Sequence, residues 1–433
     1  MDSTYTELSF LLNVAAQAGK TVYLHLDPVV WDITDPKSEK NLAVCTEASR
    51  FTIPLGDNLP FIFAALKHSI LADGRIVIGW DLKPLFSWFK KNLKACDLPK
   101  FKYFDLKYLE SYTGVSLDKP ATFAESQVRV NSVMKQDNWS DIIIMWKNVI
   151  RPLAMNVVPS LESNGFLNIE RTSRVYPCYE IEAQSNGRMS CSGTAFQWGI
   201  NVQTMSDDLR AKLRPNSLDD VFVYFDYTNM EVAVLQWLAQ DDDLGEILNS
   251  GQDPYVAIGQ RVIKNDEKNA RKVGKKIFLP TIYGLSAAGI VEKLNCRESF
   301  GMGIINFLNE QFAKSFRYVE QFQEDAAKTG VVRDRFGRRR YITGSPHLAR
   351  NFSISSPATA ICLERLVALH KLNVSPLLMS IHDGFVLSAS NKNLSEVIVT
   401  VRECLQTEST LAPGLKLKVH CNVGRSLADM TSV

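Results

Sequence analysis

Two aspartates stand where a folding chain least tolerates a charge. Asp226 closes the apolar run VFVYFD, and Asp383 lies in SIHDGF, between the apolar stretches LLMSI and GFVLSA. The first run reads as a strand and the second pair as a β-hairpin with the aspartate at its turn. A carboxylate beside apolar strands has to be paired, hydrogen-bonded or metal-bound, because water is not there to solvate it. Taken singly, each also reads as a turn aspartate capping backbone N–H groups. Brought together by the fold, the two could hold a pair of Mg²⁺ ions about 3.5–4 Å apart, the spacing used for in-line phosphoryl displacement. Carboxylate oxygens suit Mg²⁺, which keeps waters and substrate phosphates as its other ligands.

A second pattern lies in RKVGKKIFLPTIYG. Arg271, Lys275, Leu279 and Tyr283 recur every fourth residue. On a helix they advance about 40° per step and form one slowly drifting stripe. The stripe passes from cationic to apolar to aromatic and ends at Gly284, an order that matches phosphates, sugar and base. A basic amphipathic helix lying on its own protein is the plainer alternative. Pro280 lacks an N–H and predicts a kink near the end of this helix. The net charge of +2 hides a segregation: seven Lys/Arg between Arg261 and Lys276 face only Asp266 and Glu267, VVRDRFGRRRY adds five arginines, and DDDLGE is acidic. Such segregation suits a protein that grips a polyanion on one face, although solvated helix faces give similar runs.

The chain has 433 residues, 45% apolar and 22% charged, which is ordinary for a globular protein of two or three domains. Eight scattered cysteines form no CxxC pair and do not cluster with the six histidines. That argues against zinc and a disulfide framework, and for a reducing, cytosol-like compartment. No run of eighteen apolar residues and no secretory signal is evident, so no membrane association is expected. From Lys20 to about Gly114, strand-like runs (TVYLHLD, RFTIPLG, GRIVIGWDL) alternate with helix-like ones (LPFIFAALKHSIL, KPLFSWFKKNLKAC), an α/β pattern. A polar linker follows, then the apolar helix WSDIIIMWKNVIRPLAMNVVPSLESNG ended by Gly165. FVYFDY runs from strand into the helix TNMEVAVLQWLAQ, and long helices fill Asp253 to about Lys328.

Taken in order, these segments resemble a family A DNA polymerase, the DNA polymerase I class. DYTNMEVAVLQWLAQDD resembles the first palm motif, RKVGKKIFLPTIYG the fingers motif and IHDGF the second palm motif. NGRMSCSGTAFQW resembles the segment that senses the primer–template minor groove, and TGVVRDRFGRRRYI the loop closing the fingers. The resemblance covers roughly Arg171 to the C-terminus. It implies a mixed α/β and α+β architecture. A degenerate RNase H-like 3′–5′ exonuclease-type domain would occupy residues 1–150, and a connecting helix with a vestigial thumb residues 151–186. A right-hand palm and fingers would occupy 187–433, with the fingers at about 250–345.

Residue by residue, the resemblance implies that Asp226 and Asp383 hold two Mg²⁺ ions, with Mn²⁺ as a substitute and the Tyr227 carbonyl as a further ligand. Lys275 would contact the α-phosphate and act as a general acid, and Arg271 would hold the β- and γ-phosphates. Tyr283 would stack at the template position, Glu231 would exclude a 2′-hydroxyl, and Leu279 and Tyr255 would line the nucleotide site. Arg188, Gln197, His382, Arg350, Asn351, Arg338 and Arg339 would contact DNA.

Several positions depart from the family pattern. Leu279 replaces an aromatic residue, Tyr255 a histidine, Ser355 a glutamine, and Gly384 the glutamate after the second palm aspartate. Only a short stretch separates Gly165 from Arg188, where the family has a long helical thumb. In the N-terminal part Asp27 is kept, but Val29 and Leu85 stand where acidic residues belong, with Asp141 as the remaining candidate ligand. The expectation is a template-directed DNA polymerase without proofreading, acting in replication on primer–template DNA and dNTPs. A protein partner would replace the thumb or supply processivity. The setting would be a phage-type enzyme in a bacterial host cytoplasm. The alternatives are a non-catalytic primer–template-binding accessory protein of a replication complex, and a related RNA polymerase, against which Glu231 argues.

Overall fold

The computed structural model describes residues 21–433 apart from 28–31, 36–39, 48–49, 56–62, 65, 68–74, 94–101, 116–117, 170–172, 218 and 264–265. The position of Val29 and most of the helix expected over LPFIFAALKHSIL lie outside the described residues. The first sheet contains β1 (Thr21–Asp27), β2 (Asn41–Cys45), β3 (Arg50–Pro54), β4 (Ile76–Trp80) and β5 (Lys102–Asp105), in the order β3-β2-β1-β4-β5. β1 pairs antiparallel with β2 and parallel with β4. It reads as an almost continuous apolar run because it is buried on both faces. Helix α1 (Lys83–Leu93) buries Leu85, Phe86 and Phe89, which is the α/β arrangement the alternating pattern predicts.

A helical run follows from Trp139 to Asn164. Two π-helical turns, Trp146–Ile150 and Leu153–Val157, flank Pro152, whose ring removes a backbone donor. The run ends in α2 (Val158–Asn164), and Gly165 stops it at φ +57. A Cβ there would lie 2.7 Å from the Tyr176 ring, so the stop requires glycine.

Inside this region Lys83 Nζ sits 2.7 Å from Glu162 Oε1, with the two side chains 8% and 0% exposed. Glu162 also accepts from Ser87 Oγ and from the Tyr179 N–H. Burial alone would lower the Lys83 pKa; the Glu162 carboxylate beside it turns the net shift upward. Glu162→Gln leaves a buried ammonium without its counter-charge. It is expected to cost about 3–5 kcal/mol, read as a lowered thermal midpoint, whereas adding Lys83→Met, which removes the stranded ammonium while the new amide oxygen still accepts from its buried donors, recovers most of that loss.

After Gly165 the chain forms β6 (Phe166–Asn168), β7 (Ser173–Glu180), β8 (Ser190–Ser192), β9 (Gly199–Ile200) and β10 (Leu213–Arg214), a sheet ordered β10-β6-β7-β8 with β9 beside β7. Among the described residues the stretch from Gly165 to Arg188 is strand and turn, with no helix. Strand β11 (Asp220–Tyr227) carries the first motif aspartate.

The next part is helical: α3 (Met230–Ala239), α4 (Pro254–Val262), α5 (Glu267–Ile282) and α6 (Ala313–Thr329). Val232, Leu235, Ile258, Ile277, Phe278, Leu308 and Phe312 form its core. Helices α4 and α5 cross in backbone contact. A Cβ at Gly259 would fall well inside van der Waals distance of the Ala270 carbonyl, and one at Gly274 would do the same to the Tyr255 carbonyl. A small hairpin, β12 (Val331–Arg333) and β13 (Arg339–Tyr341), follows.

Helix α7 (Leu348–Leu372) is long and apolar enough to cross a membrane, but 94% of its most apolar stretch is buried inside the protein, as in a core helix. The last sheet is ordered β14-β15-β11-β16-β17, from β14 (Leu377–Ile381), β15 (Gly384–Ser390), β16 (Val419–Gly424) and β17 (Thr431–Ser432); helix α8 (Leu394–Gln406) intervenes. Two compact units result. One comprises Met1–Asp226, Leu363–Cys404 and Cys421–Val433; the other comprises Tyr227–Cys362 and Leu405–His420.

Candidate active site

In the first unit, pairing of β11 with β15 decides where the two aspartates go. The register sets Asp226 opposite Gly384, and Ile381 opposite Gly384 leaves only His382 and Asp383 to make the hairpin turn. Asp383 therefore stands one residue from the partner of Asp226. His382 has φ +54, a left-handed conformation that costs a non-glycine residue about 1 kcal/mol or more and is concentrated at functional sites. Phe225 and Phe385 are buried beside the two aspartates, which are themselves half-buried.

Tyr224, two residues before Asp226 and on the same strand face, donates its hydroxyl to Asp226 Oδ1 at 3.2 Å. Burial, then the charges of Asp226 and Asp383, push the Tyr224 pKa up. One phenol thus feels both carboxylates. Sequence reading overlooked this tyrosine, although its i−2 position on an alternating strand was the available signal.

The donor set suits a hard divalent cation: two carboxylates on adjacent strand ends, with substrate and water oxygens to complete the coordination. Among the described residues no group of three or more His, Cys, Asp or Glu side chains gathers anywhere. The unit also contains Arg188, in a turn where Gln184 and Arg188 share a backbone hydrogen bond. Gln197 is exposed, and its N–H donates to Asp32 Oδ2.

In the second unit the cationic stripe forms as expected. Helix α5 carries Arg271, Lys275 and Leu279, and Tyr283 caps its C-terminus; the helix continues through Pro280 to Ile282. Arg271 Nε donates to Asp253 Oδ2 at 2.8 Å. Asp253 also caps α4 through the Tyr255 and Val256 N–H groups. Burial works against the Asp253 charge, but Arg271 and the two amides outweigh it and hold the carboxyl below its ordinary range. Lys275 Nζ lies 5.8 Å from the Tyr255 ring centroid, within cation–π range. Tyr283 Oη donates to Glu231 Oε2 at 2.8 Å. Every expected nucleotide-contacting side chain of this unit except Leu279 is thus held by a polar or cation–π contact. Leu279 is buried in the helical core.

The remaining predicted contacts are more mixed. Arg338, expected to contact DNA, is buried, because the 334–338 turn folds around the Asp334 carboxylate, which accepts from the Arg338 N–H. Arg339 lies in β13, and the Arg340 guanidinium sits 5.8 Å from the centroid of the Phe352 ring. Arg350 donates to Gln323 and pairs with Glu320 of α6. Asn351 accepts from the buried Ser355 hydroxyl. Tyr227 is buried, and its hydroxyl donates to the Leu405 carbonyl.

In the N-terminal sheet Asp27 lies 3.9 Å from Arg50. Asp105 accepts from the Asp81 and Leu82 N–H groups; burial, with the charge of Asp81, pushes its carboxyl up to about 6. Asp81 pairs with Lys107 at 2.7 Å. Leu85 is buried, and Asp141 lies in the first turn of the helix Trp139–Met145.

A family model described as DNA polymerase family A matches residues 118–429. The DNA polymerase I of Chloroflexus aurantiacus is 24% identical over 284 residues, covering 60% of this chain and 30% of that protein. The DNA polymerase I of Bacillus caldotenax is 24% identical over 283 residues, covering 59% and 32%. DNA polymerase theta of Drosophila melanogaster is 21% identical over 329 residues, covering 68% and 16%. The chain therefore spans about a third or less of the length of these relatives. With the paired strand-end aspartates, the Arg-Lys-Tyr helix and a family match over most of its length, this chain belongs to DNA polymerase family A.

Proposed function

We propose that the chain is a template-directed DNA polymerase: a primer 3′-hydroxyl attacks the α-phosphate of a dNTP, a new phosphodiester forms, and pyrophosphate leaves. The observation that carries this is the β11–β15 register, which sets Asp226 and Asp383 at neighbouring strand ends around one tyrosine. When bound by those carboxylates and the Tyr227 carbonyl, a pair of Mg²⁺ ions supplies charge neutralisation at the phosphates and acidifies the attacking hydroxyl.

The protein's own groups do the rest. Arg271, oriented by Asp253, binds the β- and γ-phosphates. Lys275 places positive charge, and a proton, where the pyrophosphate departs. Glu231, fixed by Tyr283, occupies the space a ribose 2′-hydroxyl would need. Arg188 donates to the minor-groove acceptors that all correct base pairs share. Among the described residues the stretch between Gly165 and Arg188 is strand and turn, which supports a reduced thumb and, with fewer phosphate contacts, a shallower salt dependence; a protein partner would supply the missing grip. Val29 and the buried Leu85, standing where acidic residues belong, support an N-terminal domain without proofreading.

Primer extension on a DNA template with Mg²⁺ tests this reading. dNTPs are incorporated and rNTPs rejected, and Glu231→Ala raises rNTP use by about tenfold or more. Tight primer–template binding without any extension would favour the accessory-protein reading instead. Long products from the chain alone would remove the need for a partner.

A further inference from the structure

The position after Asp383 is glycine, and the structure shows what fills the space. A Cβ on Gly384 would lie 2.5 Å from Tyr224 Cε2, 2.6 Å from its hydroxyl and 2.9 Å from the Phe225 carbonyl. No side chain fits at residue 384 while Tyr224 keeps its place. The phenol lies across the β11–β15 pair, from Val386, its own register partner, towards Gly384, the partner of Asp226. Its hydroxyl ends 3.2 Å from Asp226 Oδ1. That is long for a hydroxyl–carboxylate bond, as hydrogen bonds in unliganded catalytic sites commonly are.

We propose that Tyr224 and Gly384 form one device, in which the glycine clears the space and the tyrosine hydroxyl enters it to orient the Asp226 carboxylate for its divalent cation. This rests on the polymerase reading. Tyr224 is a positioning residue: it acts through Asp226 and does not itself touch a reacting atom. The hydroxyl constrains Oδ1, and the Asp226 carboxylate is turned as a unit. Partners of metal-ligating groups typically change affinity or activity by about 10–100-fold when removed.

Tyr224→Phe keeps the ring that occupies the space over Gly384 and deletes only the donor. In the full chain without nucleotide, Mn²⁺ binding followed by electron paramagnetic resonance is expected to weaken about tenfold. The thermal midpoint should be unchanged. In primer extension, the half-saturating Mg²⁺ concentration should rise by a similar factor, the KM for dNTP should stay put, and kcat should recover at high Mg²⁺. A purely space-filling tyrosine predicts none of the metal effects, so wild-type Mn²⁺ binding by Tyr224→Phe, in a wild type that binds Mn²⁺ and extends primers, overturns this proposal alone. A wild type that extends no primer overturns the polymerase reading and this proposal together; in a wild type that extends primers, an unchanged half-saturating Mg²⁺ concentration in Tyr224→Phe overturns this proposal alone.

The steric half has its own test. Gly384→Ala drives the ring away from Asp226 and should weaken Mn²⁺ binding at least as much as Tyr224→Phe. Tyr224→Gly removes the ring and leaves only the Phe225 carbonyl, 2.9 Å from the added Cβ, so adding Gly384→Ala to it should produce a smaller further loss than Gly384→Ala causes alone, a non-additivity that marks direct contact. Additive losses would mean the two residues act independently, which overturns the coupling.

Discussion

Asp383→Asn is expected to lower primer extension by about a thousandfold or more while the protein becomes slightly more stable. The loss follows because the amide keeps the size of the carboxylate but not its charge, and the chemistry is asked to draw several kcal/mol from cation binding at this point. The gain follows because groups kept for function rather than stability are commonly replaced with a gain of about 0.5–2 kcal/mol. Asn is also well tolerated in a two-residue turn. If Asp383 were only a turn cap, Asn would leave activity intact. Asp226→Asn should behave alike, and the double variant should be no worse than either single one, because groups that act as a unit fail as a unit. Steady-state extension and thermal unfolding on the same preparations read both signs.

The second large effect is on stability. Gly274→Ala should cost about 3 kcal/mol or more, because the added methyl meets the Tyr255 carbonyl and a backbone atom cannot step aside without parting α4 from α5. Gly303, in the helix Glu298–Gln311, has nothing within 4 Å of a built Cβ. The same substitution there should stabilise by about 0.5–1 kcal/mol through helix propensity. Thermal denaturation of the two variants distinguishes a glycine used for close approach from one the helix merely tolerates. Gly274→Ala should also cost activity, since the crossing it disturbs keeps Lys275 beside Tyr255 and Arg271 beside Asp253.

What could be read from the residues was whatever depends on short spacing. The strand ending at Asp226 and the hairpin around Asp383 were visible because apolar runs of strand length flank them. The stripe on α5 was visible because four-residue spacing puts its members on one face. Pairings between distant segments were not visible. Arg271 with Asp253 and Lys83 with Glu162 are each made by folding, and nothing local announces them. Glu231 and Tyr283 were both singled out, but their hydrogen bond to one another was not. Arg338, in a run of three arginines, was expected to contact DNA, but a buried aspartate four residues earlier organises the turn that takes it inside. Gly384 looked like a simple loss, because the group that takes up its space comes from the opposite strand.

The two-residue turn at His382 and Asp383 makes the chain's length here as consequential as its chemistry. Side chains alternate along a strand, so one residue inserted or deleted between Met379 and Val386, where the pairing is regular, would present the other face of the hairpin to its neighbour. A turn already held at positive φ has little slack to absorb the slip. Descendants of this sequence can exchange letters around the site, but they cannot add or drop one. The spacing from Met379 to Val386, between the turn and the irregularity that already shifts the register after Leu377, should therefore be the most conserved length in the molecule, even where its residues drift.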